Sequence, residues 1–260
     1  MDKRKNYYLM IDTETANGLD EPLVYDIGGA IVDKKGKVYE AFSFVIYEVF
    51  VGMRDVMDTA YYADKLPKYQ EDLDAGLRRM VRYKTARDCI FNLCKEYNVK
   101  GIVAHNMRFD YRSTTTTQRY LTKSKYRYFL PYGIPLMDTL KMAQDTICKQ
   151  KSFIRFCQLN GYVREYEKVI KNEFGDDEIQ VTEVPRATAE VLYKYIIDDT
   201  NFKESHTGLE DVYIEKEIFA RCMRQHKKMR TAAFNPRKGL TMYEKIKYIT
   251  ERQWEVQSVL

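Results

Sequence analysis

The chain has 260 residues, 45% hydrophobic and 31% charged, with a formal net charge of +5, which suits one sizeable α/β domain with extensions. No run approaches the roughly 18 consecutive apolar residues of a membrane span, and residues 1–10 lack the apolar core of a signal peptide. Five cysteines (Cys89, Cys94, Cys148, Cys157, Cys222) show no paired zinc spacing and read as reduced thiols of a cytoplasmic protein.

Residues 6–11 are aromatic and β-branched, so a strand is predicted there. Asp12-Thr13-Glu14-Thr15 follows. Alternation along a strand puts Asp12 and Glu14 on one side, about 7 Å apart. Two such carboxylates repel each other and are costly to desolvate, and a bound cation reverses the sign of that interaction. Oxygen ligands suit Mg2+ or Mn2+. The plainer alternative is a solvated strand end before a turn at Gly18. Further strands are predicted over 24–32 and 37–46, joined by a hairpin turn at Lys34-Lys35-Gly36, and residues 53–97 look helical.

A short apolar strand over 99–104 leads into His105, Asn106, Phe109 and Asp110. Asn106 is placed to cap a helix, and Asp110, one turn later, lies where the helix dipole favours a carboxylate. The stretch 111–132 carries Arg112, Arg119, Lys123, Lys125 and Arg127 and no acid, interleaved with Tyr111, Tyr120, Tyr126, Tyr128, Phe129 and Tyr132. Cations for phosphates mixed with rings for bases suit single-stranded nucleic acid; a solvated helix whose tyrosines pack on the domain is the alternative. A strand at 135–137 precedes Asp138, which caps a helix over 139–149. Helices are predicted over 152–160 and 187–198, with 163–186 an inserted loop or hairpin.

Thr207 and Glu210 form a capping box, so a helix starts there. Its continuation over 212–220 has apolar residues at helical spacing. His206 precedes the cap and Asp211 lies in the first turn. A loop imidazole, with a pKa near 6.5, beside a helix-borne carboxylate has the freedom a general base needs. Residues 223–260 hold nine basic against three acidic side chains, a net of +6, which leaves −1 for residues 1–222. Within this tail, Pro236 and Gly239 mark a basic linker. Leu240, Tyr243, Ile246, Ile249 and Trp254 then fall at helical spacing.

Taken in order, the three motifs resemble the DEDDh 3′–5′ exonuclease superfamily, which includes the epsilon proofreading subunit of bacterial replicative polymerase, oligoribonuclease and ribonuclease T. The first motif matches at Asp12, Thr13, Glu14 and Thr15, the second at His105, Asn106, Phe109 and Asp110, the third at His206 and Asp211. The match covers roughly residues 6–223. The segments 186–196 and 205–220 look especially like bacteriophage-encoded exonucleases.

The resemblance implies a ribonuclease H-like α/β fold, with a central mixed five-stranded sheet flanked by helices. Residues 1–223 would be the exonuclease domain, and 224–260 a basic linker and C-terminal helical extension. It also implies two divalent cations, Mg2+ or Mn2+. Asp12, Glu14 and Asp211 would ligate one, Asp12 with Asp110 the other, and His206 would take the proton from the attacking water. Thr13, Thr15, His105, Asn106 and Phe109 would bind or frame the substrate's 3′ end. The expected activity is release of 5′-nucleoside monophosphates from single-stranded DNA. Alternatives are a nuclease of short RNA and an inactive nucleic-acid-binding module. A separate polymerase or replication protein is a candidate partner for the tail; no membrane is involved, and the expected compartment is the cytoplasm.

Overall fold

A computed structural model of the chain describes residues 2, 4–18, 20–60, 63–123, 127–171 and 176–232. The first three strands are β1 (Tyr7–Ala16), β2 (Leu23–Asp33) and β3 (Val38–Ile46), an antiparallel meander. Gly36 (φ 82°) turns the β2–β3 hairpin, where the backbone amides of Lys35 and Lys37 donate to the Asp33 carboxylate. β1 is longer than predicted. It runs through Asp12 and Glu14, so both sit within the sheet and not at a solvated strand end.

The predicted helical region 53–97 is broken up. Short helices α1 (Tyr47–Phe50) and α2 (Arg54–Met57) and a 3-10 turn at Ala63–Lys65 lead to α3 (Leu66–Asp74). An unpredicted strand, β4 (Arg79–Val81), precedes α4 (Tyr83–Glu96) and pairs parallel to β3. Three residues are too few for an alternation to show.

Two parallel crossovers complete the sheet: β5 (Ile102–Ala104) beside β1, then α5 (Met107–Leu121), then β6 (Leu136–Asp138) beside β5. The order is β4-β3-β2-β1-β5-β6, with β2 alone antiparallel to the rest. The strands β3-β2-β1-β5-β6 are the mixed five-stranded sheet expected of the ribonuclease H-like class, and β4 extends it to six.

α6 (Thr139–Asp145), α7 (Lys151–Leu159), α8 (Ala189–Ile197) and α9 (Gly208–Arg224) follow, with β7 (Val163–Lys171) and β8 (Asp177–Pro185) forming a separate hairpin. Asp138 caps α6 as predicted, accepting from the Leu140 amide at 3.0 Å. The sheet is buried on both faces, as crossover helices require. On one face Leu9, Ile11, Ile27 and Phe44 pack with Ile90, Met107 and Tyr111. On the other Met10, Ala30 and Val103 pack with Met142, Phe153, Leu192, Ile218 and Phe219.

The aromatic–basic stretch divides between core and surface, with Tyr120 and Tyr132 exposed. Tyr111 and Phe129 belong to the core, and Tyr111 stacks on Tyr128 at 6.1 Å. Thr122 lies about 18 Å along the helix axis from Asp110. Lys125 and Tyr126 fall outside the described residues. The linker does not leave the domain at once: Ala232 bridges to Met137 on the edge strand, and Arg230 pairs with Asp145 at 2.8 Å. Residues 233–260, including the predicted C-terminal helix, lie outside the described residues. The five cysteines are free thiols.

Candidate active site

The C-terminal halves of β1 and β5 open onto one cleft, the usual place for a site in sheets with parallel strands. Its volume is about 1170 Å³. Asp12, Glu14, Phe109, His206 and Asp211 line it, with Thr13, Thr15, His105, Asn106, Glu204 and Glu215. Asp110 lies behind this wall, 2% exposed, its Oδ1 accepting from the Thr13 hydroxyl at 2.9 Å.

The side-chain alternation of β1 divides the work. Thr13 faces the α5 side of the sheet and holds Asp110 there. Asp12 and Glu14 face the α9 side. Asp12 is paired in register with Gly28 of β2, and Glu14 with Asp26. Gly28 is what lets α9 approach: a Cβ built there would meet the Gly208 carbonyl carbon at 2.0 Å, and one on Gly208 would meet the Gly28 nitrogen at 2.6 Å. The missing side chains let the start of α9 lie against β2, and Asp211 comes down beside Asp12.

The start of α9 is held differently from the predicted capping box. The helix does begin after Thr207, but the Thr207 hydroxyl donates to the Glu210 carboxylate at 2.7 Å and makes no cap bond to the backbone. The Gly208 amide is instead received by Asp26 Oδ2 at 2.9 Å. Asp26 also accepts from the Tyr69 hydroxyl and from Arg78, which reaches both oxygens of Glu210, as well as Asp72 and Ser43. Asn106 likewise occupies the cap position of α5 without capping it through its side chain. It adopts the left-handed region (φ 66°) and its amide donates to Asp138 Oδ1 at 3.0 Å.

His206 stands on the loop before α9, also left-handed (φ 51°), an uncommon backbone state outside glycine that clusters at functional sites. Its Nδ1 lies 3.8 Å from Glu204 Oε2. Burial and the nearby Lys65 ammonium lower its pKa, so the ring is neutral near pH 7 and able to accept a proton. Lys65 also donates to the Ser205 carbonyl, which ties the turn at 63–65 to this loop. His105 is engaged through both ring nitrogens, to Thr139 Oγ1 and the Ala187 carbonyl at 3.0 Å each. It supports the cleft wall more than it faces substrate.

The electrostatics are those of carboxylates crowded together and buried. Burial first, then Glu215, Asp110, Glu14 and Asp211, push Asp12 well above the ordinary carboxylate range. Burial pushes Glu14 to about 9, Asp211 to about 8 and Asp110 to about 7. Asp211 Oδ1 and Glu215 Oε2 are buried without a hydrogen-bond donor. Ligand-capable oxygens of Asp12, Glu14 and Asp211 lie within 4.8 Å of one another. This donor set fits a hard divalent cation. A second set, Glu204, His206 and Asp211, is equally close.

Three contributors escaped sequence reasoning. Glu215 is four residues after Asp211 on the same helix face, a spacing visible in the sequence but hidden within an apolar run. Glu204 and Lys65 carry no local signal, because only the packing of the 63–65 turn on the loop before α9 brings them in.

No protein-family model matches the chain, and no curated protein does. Among solved structures it is similar to E. coli exonuclease I in complex with a dA16 oligonucleotide, at 12% identity and a TM-score of 0.40, over 82% of this chain and 40% of that one. It is also similar to the same enzyme with a 5cy-dT13 oligonucleotide, at 12% and 0.43, over 85% and 42%. A moderately thermophilic exonuclease I from Methylocaldum szegediense matches at 12% and 0.44, over 85% and 41%. The chain spans about two fifths of the length of these structures.

Proposed function

We propose that the chain is a divalent-metal-dependent 3′–5′ exonuclease that releases 5′-nucleoside monophosphates from single-stranded DNA. One observation carries this reading. Asp12 and Glu14 on β1, Asp211 on α9 and the loop residue His206 are far apart in sequence and line one cleft, with Asp110 on α5 buried behind its wall. These are the residues that the motif resemblance picks out, and three of them, Asp12, Glu14 and Asp211, have ligand oxygens within 4.8 Å of one another.

Asp12, Glu14 and Asp211 would hold one cation, and Asp12 with Asp110 a second. Divalent ions bound there supply a lowered water pKa and neutralise charge on the attacking and leaving oxygens. The protein's own residues do the rest. Thr13 fixes the rotamer of Asp110 by donating to it. His206, neutral and on a loop, accepts the proton of the attacking water, a role worth roughly 10²–10⁴ in rate. Phe109, Asn106 and Thr15 line the cleft where the terminal nucleoside would sit.

The test is a gel assay with 5′-labelled single-stranded DNA and the matching RNA, in Mg2+, Mn2+ and EDTA, with Asp12→Ala alongside. A metal-dependent ladder shortening from the 3′ end, absent in Asp12→Ala, is the expected result. A faster ladder on RNA would make the enzyme an exoribonuclease. No ladder on either strand from folded protein would refute the reading in favour of a binding module.

A further inference from the structure

The β7–β8 hairpin is left unexplained by the chemistry of the cleft. It stands off the main sheet as a two-stranded ribbon, exposed along almost all of its described length. Tyr166 is 57% exposed, Val169 and Ile179 63%, and Val181 53%. A ribbon of this kind is marginal by itself in water.

Its two faces differ in chemistry. The register pairs Arg164 with Val184, Tyr166 with Thr182 and Lys168 with Gln180, and cross-strand partners share a face. Arg164 and Val184 line the cleft. The face that continues outward from the cleft therefore carries Arg164, Tyr166 and Lys168, with Thr182 and Gln180 beside them. The same face also carries Ile170 and Glu178 at its outer end, and the opposite face carries Glu165, Glu167, Glu183 and Asp177, the last paired with Lys171. Two cations, a ring and one carboxylate share the face that lines the cleft, and four carboxylates with one lysine share the face turned away. Arg164 to Lys168 spans about 13 Å of strand, which extends well past a terminal nucleotide.

We propose that the cleft-side face of the β7–β8 hairpin is a track for single-stranded nucleic acid on the 5′ side of the terminal nucleotide. Arg164 and Lys168 contact phosphates, and Tyr166 stacks on a base. The opposing charges of the two faces set which side of the ribbon a polyanion follows. This rests on the exonuclease reading for the direction of the strand, but the surface itself is tested without turnover.

The experiment is fluorescence anisotropy with labelled dT20 and dT3, in EDTA so that no cleavage occurs, on the full chain and three variants. Tyr166→Ala is expected to weaken dT20 binding about 5- to 150-fold, the range for losing one base–aromatic stack. Lys168→Gln is expected to weaken it and to reduce the slope of log K against log salt by about 0.7, one phosphate contact on a single strand. Both leave dT3 binding unchanged, and Glu167→Gln, on the far face, does not weaken dT20. All three positions are exposed, so unchanged melting temperatures control for folding. The proposal is overturned if Tyr166→Ala and Lys168→Gln bind dT20 as the wild type does, if they weaken dT3 and dT20 equally, or if the wild-type chain fails to bind dT20. Hairpin-dependent binding of dT20 with no ladder in the gel assay would sink the exonuclease reading and leave the track standing.

Discussion

At the scale of single residues the cleft is a set of carboxyls held against their own repulsion. Glu14, Asp211 and Asp110 are pushed up to about 9, 8 and 7 in the folded protein, against ordinary values near 4. The folded state therefore holds protons that the unfolded chain has already released. Their contribution to stability is complete at low pH and is lost as pH rises from about 4 through 9. In EDTA the melting temperature should fall between pH 5 and pH 9; a flat profile would contradict the burial of these groups. At pH 8, Mg2+ at a hundred times its Kd should add about 2.7 kcal/mol, or roughly 5–10 °C for a chain of this size. Glu215→Gln removes the strongest neighbouring charge on Asp12. It should raise the melting temperature in EDTA and shrink the gain from Mg2+. His206→Ala should cut turnover by roughly 10²–10⁴ and keep that gain, since the imidazole is assigned to proton transfer. Wild-type turnover in that variant would remove the role.

At the scale of elements, α9 is the part whose placement decides the site. Arg78 is 4% exposed and binds Asp26, Asp72 and Glu210, which joins the segment before β4, the β2 strand and the first turn of α9. Removing one partner from a buried ionic cluster leaves uncompensated charge and costs about 3–5 kcal/mol. Arg78→Met should lower the denaturation midpoint by a corresponding amount, and an effect below about 1 kcal/mol would show the cluster to be incidental. Gly28→Ala tests the same junction from the strand side. The added methyl collides with the backbone at Gly208, and forced overpacking costs typically about 1–3 kcal/mol. Because α9 carries Asp211, metal-induced stabilisation should fall with it.

At the scale of the molecule, the residues after α9 matter more than their linker-like composition implies. Thr231 accepts from the Asp138 amide, Ala232 bridges to Met137, and Arg230 pairs with Asp145. The chain thereby covers the open edge of β6, a useful device because bare edges invite pairing with other chains. Truncation after Arg224 should lower the melting temperature and promote association relative to truncation after Ala232. Both melting curves and size-exclusion profiles read this directly. Equal behaviour of the two truncations would mean that the 225–232 segment does not seal the edge.

The sequence by itself determined what is local and periodic. The apolar run before Asp12, the Lys34-Lys35-Gly36 turn, the Asp138 cap and the start of α9 all follow from alternation, turn chemistry or capping, whereas 163–186 read equally as a loop or a hairpin. The five catalytic candidates were legible because they sit in short motifs with fixed offsets. Only the tertiary structure decided the rest. β4 is too short to show a period. Thr207 and Glu210 fit a capping box, yet Arg78, 132 residues from Glu210 along the chain, draws that carboxylate away, and Asp26 takes the amide of Gly208. Glu204, Glu215 and Lys65 enter the site through packing between distant segments. The closeness of Asp211 to Asp12 depends on two absent side chains, at Gly28 and Gly208, whose importance appears only when β2 and α9 are in contact. Local signals fix the elements; the charges in the cleft depend on which elements meet.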